Sequence, residues 1–182
     1  PWTGTPPLER GSMIYTSGTT GNPKGVRREP TSPERQARIG ELAMRSFGIG
    51  PGGVCAMTGP MYHSAPGAYA SLAMVLGNDI HLLPRFEPEE LLQAIDEHKI
   101  SHMHVVPTMF VRMLRLPDAI KAKYDLSSLA HVIHGAAPCP PDAKKQMIEW
   151  WGDVIFEYYG STEAGIVSTA SSADAIAKPG TV

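Results

Sequence analysis

The densest run of chemistry-bearing residues is Thr16-Ser17-Gly18-Thr19-Thr20-Gly21-Asn22-Pro23-Lys24-Gly25. Hydroxyls and glycines are interleaved there, and a lysine stands near the end. Glycines let backbone N–H groups turn toward a common centre, and hydroxyls add further donors, so such a loop can wrap a polyphosphate. Lys24 adds a point charge for phosphate oxygens. The run is not a Walker A loop, because Pro23 stands before the lysine where GxxxxGK[ST] needs glycine. A flexible surface linker has a similar composition. Against that stands the short apolar run Ser12 to Thr16 ahead of the loop, which reads as a strand.

The stretch Tyr15 to Val26 resembles, over its whole length, the phosphate-loop motif of the adenylate-forming (AMP-binding) superfamily. That superfamily holds acyl-CoA synthetases, luciferases and peptide-synthetase adenylation domains. Where the family commonly continues toward Thr-His or Ser-His, this chain has Arg27-Arg28-Glu29-Pro30. A second stretch, Tyr158-Tyr159-Gly160-Ser161-Thr162-Glu163, resembles the family's aromatic-Gly-x-Thr-Glu turn. An aromatic ring can stack on adenine, Gly160 permits a tight turn, Thr162 can donate to a phosphate oxygen, and Glu163 is a hard oxygen ligand suited to Mg²⁺. The resemblance implies that Tyr159 stacks on adenine, Thr162 meets the α-phosphate and Glu163 holds the metal. Tyr158, Gly160 and Ser161 fall in the same nucleotide site. His134-Gly135-Ala136-Ala137-Pro138 resembles the family's small-residue turn, which implies adenine-pocket roles for Gly135, Ala136 and Ala137. Pro60 to Gly67 occupies the place of a motif near the acyl pocket, which implies that His63 lies beside the substrate carboxylate. His63 reads equally well as a hydrogen-bonded loop histidine.

Other constellations are less promising. His102-Met103-His104 puts two imidazoles on one strand face, but no third ligand has supporting spacing, so ordinary strand histidines are expected. No GxSxG elbow and no SxxK occurs. Cys55 and Cys139 form no CxxC pair and read as reduced, mostly buried thiols of a cytoplasmic protein. Met103, Met109, Met113 and Met147 read as core filler.

The elements that would position these residues follow from periodicity and punctuation. Ser32-Pro33-Glu34 marks a helix start, Ile39, Leu42, Ala43 and Phe47 keep helical spacing, and Gly50 to Gly53 breaks it. Val54 to Thr58 reads as a buried strand. Ala65 to Leu76 is apolar nearly all round, which predicts a buried helix. Ile80 to Leu83 is strand-like. Glu87-Pro88 opens a helix with Leu91, Leu92 and Ile95 on one face. A strand over Ile100 to Val106 precedes a helix from Pro107 carrying Phe110, Met113 and Leu114. Leu129 to His134 is a strand, Pro140-Pro141-Asp142 starts a helix stopped by Gly152, and Val154 to Tyr158 is the next strand. Strands alternating with helices predict an α/β fold, a mostly parallel sheet flanked by helices. Ligands gather at the carboxyl ends of such strands, and the loops after Tyr15, His134 and Tyr158 all follow predicted strands.

Composition bounds the rest. A length of 182 residues fits about one domain. With 42% hydrophobic and 19% charged residues, 18 glycines and 17 prolines, the chain suits neither disorder nor a coiled coil. A formal net charge of −2 gives no basic excess for nucleic acid. The apolar run Tyr69 to Leu76 is far short of the roughly 20 residues that span a bilayer. Residues 1–11 read as a linker or loop and 12–182 as an α/β core piece of the AMP-binding domain. Starting at Pro1 and ending on Lys178-Pro179-Gly180-Thr181-Val182, the chain is expected to be the centre of the family's large N-terminal domain.

The implied activity is that of an acyl-CoA synthetase using ATP, Mg²⁺, a carboxylic acid and CoA, with Lys24, His63, Thr162 and Glu163 nearest the reaction. The family's Tyr-x-Thr-Gly-Asp motif and its C-terminal lysine domain are absent from these residues, so the isolated chain is expected to be inactive and prone to self-association. A non-catalytic ATP-binding module and a peptide-synthetase adenylation domain are the alternatives.

Overall fold

The structure, a computed structural model, describes residues 13–16, 21–27 and 31–182. The expected linker at 1–11 and loop residues Ser17, Gly18, Thr19 and Thr20 lie outside the described residues. A six-stranded sheet organises the chain: β3 (Val54–Met57), β4 (Asp79–Leu82), β5 (His102–Val105), β6 (His131–His134), β7 (Ile155–Ser161) and β8 (Gly165–Ala170), in the order β4-β3-β5-β6-β7-β8. All neighbours pair parallel except β7 and β8, which pair antiparallel. The predicted α/β class with a mostly parallel sheet is the observed one.

Local signals explain where the helices begin. In α1 (Pro33–Phe47) the Ser32 hydroxyl accepts from the Arg35 amide at 3.3 Å, and proline occupies the first turn, where its missing N–H costs nothing. Proline also opens α3 (Pro88–His98), α4 (Pro107–Leu114) and α6 (Pro141–Trp151). Gly48, in the left-handed region at φ 62°, closes α1 ahead of the expected break at Gly50.

Strand alternation feeds two cores. On one face Met103, Val132 and Ile155 meet Leu91, Leu92 and Ile95 of α3, Phe110 and Met113 of α4, and Met147 and Trp151 of α6. On the other, Cys55, Met57, Ile133 and Tyr158 meet Phe47 of α1 and Tyr69 and Ala73 of α2 (Ser64–Val75). Burial of each large side chain contributes about 1.5–3 kcal/mol. The four methionines expected in the core are there, and both cysteines are free, Cys55 buried and Cys139 half-buried.

The structure departs from the sequence reading in several places. The strand at Met13–Thr16 (β1) is not part of the main sheet. It forms a separate antiparallel hairpin with β2 (Lys24–Arg27), so Thr16 pairs with Lys24 and the phosphate-loop residues connect two strands. Lys24-Gly25-Val26-Arg27 offers one apolar residue and no readable alternation. Helix α2 is not buried all round: Tyr69, Ala70 and Ala73 face the sheet, while Met74 and Val75 are 60% and 84% exposed, because a helix lays only one stripe on a sheet. Strand β7 runs on through Ser161, since β8 supplies backbone partners that local sequence does not announce. Two short helices, α5 (Asp118–Lys121) and α7 (Ser172–Ala177), were not expected. Among the described residues no helix is long and apolar enough to cross a membrane.

Candidate functional site

A cleft of about 550 Å³ opens at the carboxyl ends of β6 and β7. Thr16 and Lys24, facing partners in the β1–β2 hairpin, form one wall. Ser64, Ala65 and Ala68 from the first turns of α2 form another, with Phe47 from the end of α1. Ala136 beyond β6 and Tyr158, Gly160, Ser161, Thr162 and Glu163 along the β7–β8 hairpin complete it, together with Gly165 and Ile166. Two motifs far apart in sequence therefore share one cavity.

The β7–β8 hairpin has a specific build. Ser161 pairs with Gly165, which leaves Thr162, Glu163 and Ala164 as the turn. The Ala164 amide donates to the Ser161 hydroxyl at 3.0 Å. A bulge falls between Tyr159 and Gly160, and a Cβ on Gly160 would run into the Gly165 carbonyl. Glycine is required at Gly160 by that close approach. The Thr162 hydroxyl lies 3.1 Å from the Ser64 hydroxyl, which ties the turn to the N-terminus of α2. Glu163 is exposed at the cleft edge.

The floor of the cleft is Tyr158. Its ring packs edge-on to Phe47 at 6.2 Å between centroids, and its hydroxyl is 3.0 Å from His104 Nε2. Burial pushes the Tyr158 phenol up to about 12 and the His104 imidazole down to about 4, so both are neutral near pH 7. A Cβ on Gly135 would strike the Tyr158 ring, so Gly135 lets that ring lie across the end of β6. Ala136 follows with φ 67°, a left-handed conformation that costs a non-glycine residue on the order of 1 kcal/mol.

The remaining expected residues lie around this centre. Gly21 is exposed with φ 80° beside the hairpin. Ala137 is exposed on the loop after β6. Tyr159 is 62% exposed and does not line the cleft, since alternation along β7 sends it to the face opposite Tyr158. His63 is the residue before α2 and makes no side-chain cap. It lines a neighbouring cleft of about 480 Å³ with Ile14, Val26, Met61, Gly67 and Met74. The two clefts share Ser64, Ala68 and Thr162. Sequence reading passed over Ser64, Phe47, Ala68 and Ile166; for Ser64, a hydroxyl at a helix start beside His63 was the available signal. His102 and His104 behave as strand histidines, the first within 2.6 Å of the Ser101 hydroxyl.

Among the described residues no three His, Cys, Asp or Glu side chains converge. A lone carboxylate beside a hydroxyl, as at Glu163 and Thr162, is a donor set that fits Mg²⁺, which keeps several waters and shares substrate phosphate oxygens.

Comparison with known proteins identifies the family. A family model described as AMP-binding enzyme matches residues 9–182. The chain is 33% identical over 161 residues to a 4-coumarate–CoA ligase-like protein of Arabidopsis thaliana, covering 87% of this chain and 28% of that protein. It is 34% identical over 164 residues to a medium/long-chain fatty-acid–CoA ligase of Mycobacterium tuberculosis, covering 90% and 28%. Among solved structures, an amide bond synthetase from Marinactinospora thermotolerans superposes with a TM-score of 0.76 at 30% identity, over 89% of this chain and 31% of that one. ATP-bound MatB from Rhodopseudomonas palustris superposes with a TM-score of 0.72 at 25% identity, over 91% and 33%. The chain thus spans less than a third of the curated relatives named here.

Proposed function

The chain belongs to the AMP-binding enzyme family, and from that premise we propose that it carries the nucleotide site of an ATP-dependent acyl-CoA synthetase. The observation that carries the reading is the meeting of Thr16 and Lys24 with Thr162 and Glu163 around one cleft. A fatty-acid–CoA ligase and a 4-coumarate–CoA ligase-like protein among the relatives support an acid–thiol ligase.

In the first half-reaction a carboxylate oxygen of the acid attacks the α-phosphorus of ATP. The bond from that phosphorus to the bridging oxygen breaks, and pyrophosphate leaves as the acyl-adenylate forms. Such an in-line displacement needs orientation and charge neutralisation rather than a side-chain nucleophile. Lys24 and the hairpin loop hold the β- and γ-phosphates, and the Thr162 hydroxyl donates to an α-phosphate oxygen. The adenine reaches past the rim of the cleft, where Gly135, Ala136 and Ala137 border it and the exposed ring of Tyr159, on the other face of β7, stacks on it. Glu163 would hold Mg²⁺, which supplies positive charge to the phosphate oxygens. The neighbouring cleft, with Met61 and Met74 in its wall and His63 at its rim, takes the acid; its apolar lining favours an apolar acyl group. In the second half-reaction the CoA sulfur attacks the acyl carbon, the thiol proton passes to solvent, and AMP leaves. Because relatives are more than three times as long, parts of the protein beyond these residues take part in that step, and the chain alone forms no acyl-CoA.

The test is ATP–pyrophosphate exchange by the full-length protein over a panel of fatty, aromatic and amino acids. Exchange driven by an aliphatic or aromatic acid, lowered at least about tenfold by Lys24→Ala and by Glu163→Ala, is expected. Exchange with no acid would overturn the enzyme reading, and exchange driven by amino acids alone would favour an adenylation domain.

A further inference from the structure

Beneath the loop that follows β6 lies a group of charged side chains that the reaction does not use. Lys144 of α6 and Glu157 of β7 form a direct ion pair, and both are almost fully buried, at 5% and 8% exposure. His134, the last residue of β6, has no exposure; its Nδ1 lies 3.9 Å from the other Glu157 oxygen. Neither ring nitrogen of His134 has a hydrogen-bond partner among the described residues. Burial and the nearby Lys144 charge lower its pKa to about 3, so it stays neutral.

Stability does not explain this arrangement. Taking two charges out of water costs several kcal/mol each, and replacing a buried ion pair by apolar residues of similar size is often neutral or stabilising. What the group does achieve is geometric. His134 enters the loop Gly135–Pro140, and Lys144 stands one turn into the helix that leaves it. Both converge on Glu157, whose strand position faces His134 in the parallel register. The loop is therefore clamped at both ends through Glu157, by its ion pair to Lys144 at the helix end and by the backbone pairing of β7 with β6 at His134. Ala136, held at φ 67°, lies inside the clamp. The residues after Glu157 are Tyr158, the floor of the cleft, and Tyr159, which alternation places on the same face as Glu157.

We propose that Lys144 and Glu157 are positioning residues that hold the Gly135–Ala137 loop and the end of β7 at the spacing a nucleobase requires. The proposal rests on the nucleotide reading of the cleft and extends it to side chains that touch no substrate. It separates from a purely structural role in its kinetic signature. Loosening the clamp weakens ATP binding and leaves the acid, bound in the neighbouring cleft, unaffected.

The experiment is ATP–pyrophosphate exchange by the full-length protein carrying Lys144→Met together with Glu157→Leu, beside a thermal melt. The expected result is an unchanged melting temperature, a KM for ATP raised about tenfold and an unchanged KM for the acid. Glu157→Gln keeps an acceptor for Lys144 and the same volume; it supplies the comparison should the double variant not fold, with an expected rise of about threefold in the same KM. Lys144→Arg, which retains the ion pair, should stay near the wild-type value. A folded variant lacking the pair whose KM for ATP equals wild type, or in which both KM values rise together, would overturn the proposal alone. A wild-type protein that neither exchanges pyrophosphate nor binds an ATP analogue would overturn the nucleotide reading and this proposal with it.

Discussion

The Tyr158 hydroxyl and His104 Nε2 meet at 3.0 Å in the interior, bridging β7 and β5 across the end of the intervening β6. The ring can span that distance because Gly135 presents no side chain beneath it. Two substitutions test this dependence by chemical denaturation. Tyr158→Phe removes the hydroxyl and leaves His104 without that partner, an expected loss of about 1–3 kcal/mol. Gly135→Ala forces the ring aside and should cost about 1–3 kcal/mol as an overpacking change. If Gly135→Ala matches wild type, the ring does not need the space.

Buried histidines set the response to acid. Burial holds His104 at about 4 and His134 at about 3 in the folded chain, below the ordinary value of 6.5. His131, stacked on Phe156, is lowered to about 4 by burial and by His102. For each group the unfolded chain binds the proton more readily, so the stability it contributes is complete above about pH 6.5 and is lost as pH falls toward 4 and below. Each of His104 and His134 should add a slope of about 1.4 kcal/mol per pH unit within that window. Urea midpoints measured from pH 7 to pH 4.5 should fall steadily, and His104→Gln should flatten the fall. A flat profile would show that these imidazoles titrate normally.

Gly160 is a second place where a methyl group decides the outcome. Its Cβ position is filled by the Gly165 carbonyl, next to the bulge that turns Thr162 and Glu163 into the cleft. Gly160→Ala should leave the distant core of α3, α4 and α6 intact and displace the hairpin tip. A circular dichroism spectrum like wild type with pyrophosphate exchange reduced at least about tenfold is the expected pair of results. Full exchange in that variant would place the tip elsewhere.

The longer helices were legible because their starts are local events. Pro33, Pro88, Pro107 and Pro141 each stand in a first turn, where proline fits and signals at once. Strands β2 and β8 were not legible, because what makes them strands is the partner: Thr16 across from Lys24, and Tyr158 across from Thr169. The site divides the same way. Thr16, Lys24, Tyr158, Thr162 and Glu163 could be picked out by residue type and motif. Phe47 and Ile166 could not, since only the docking of α1 and β8 brings them to the cleft. The Lys144–Glu157 pair was hidden for a related reason. A lysine on an amphipathic helix and a glutamate on a strand look like surface residues until α6 is laid against β7.

Ser64 and Thr162 offer the most direct test of how the two clefts cooperate. Their hydroxyls lie 3.1 Å apart, and both residues line both clefts. Ser64 is the first residue of α2, and alanine there keeps a good helix former and changes no buried volume. Ser64→Ala should therefore stay folded, melting within about 6 °C of wild type. A neutral hydrogen bond contributes about 0.5–1.5 kcal/mol, so a bond that aims the Thr162 hydroxyl at the reacting phosphate corresponds to a fall in exchange rate of about two- to twelvefold. Thr162→Val, which removes the donor itself, should fall further. The double variant Ser64→Ala, Thr162→Val should be no slower than Thr162→Val, because Ser64 acts only through its partner. Additive losses would mean that Ser64 contacts the substrate independently of Thr162.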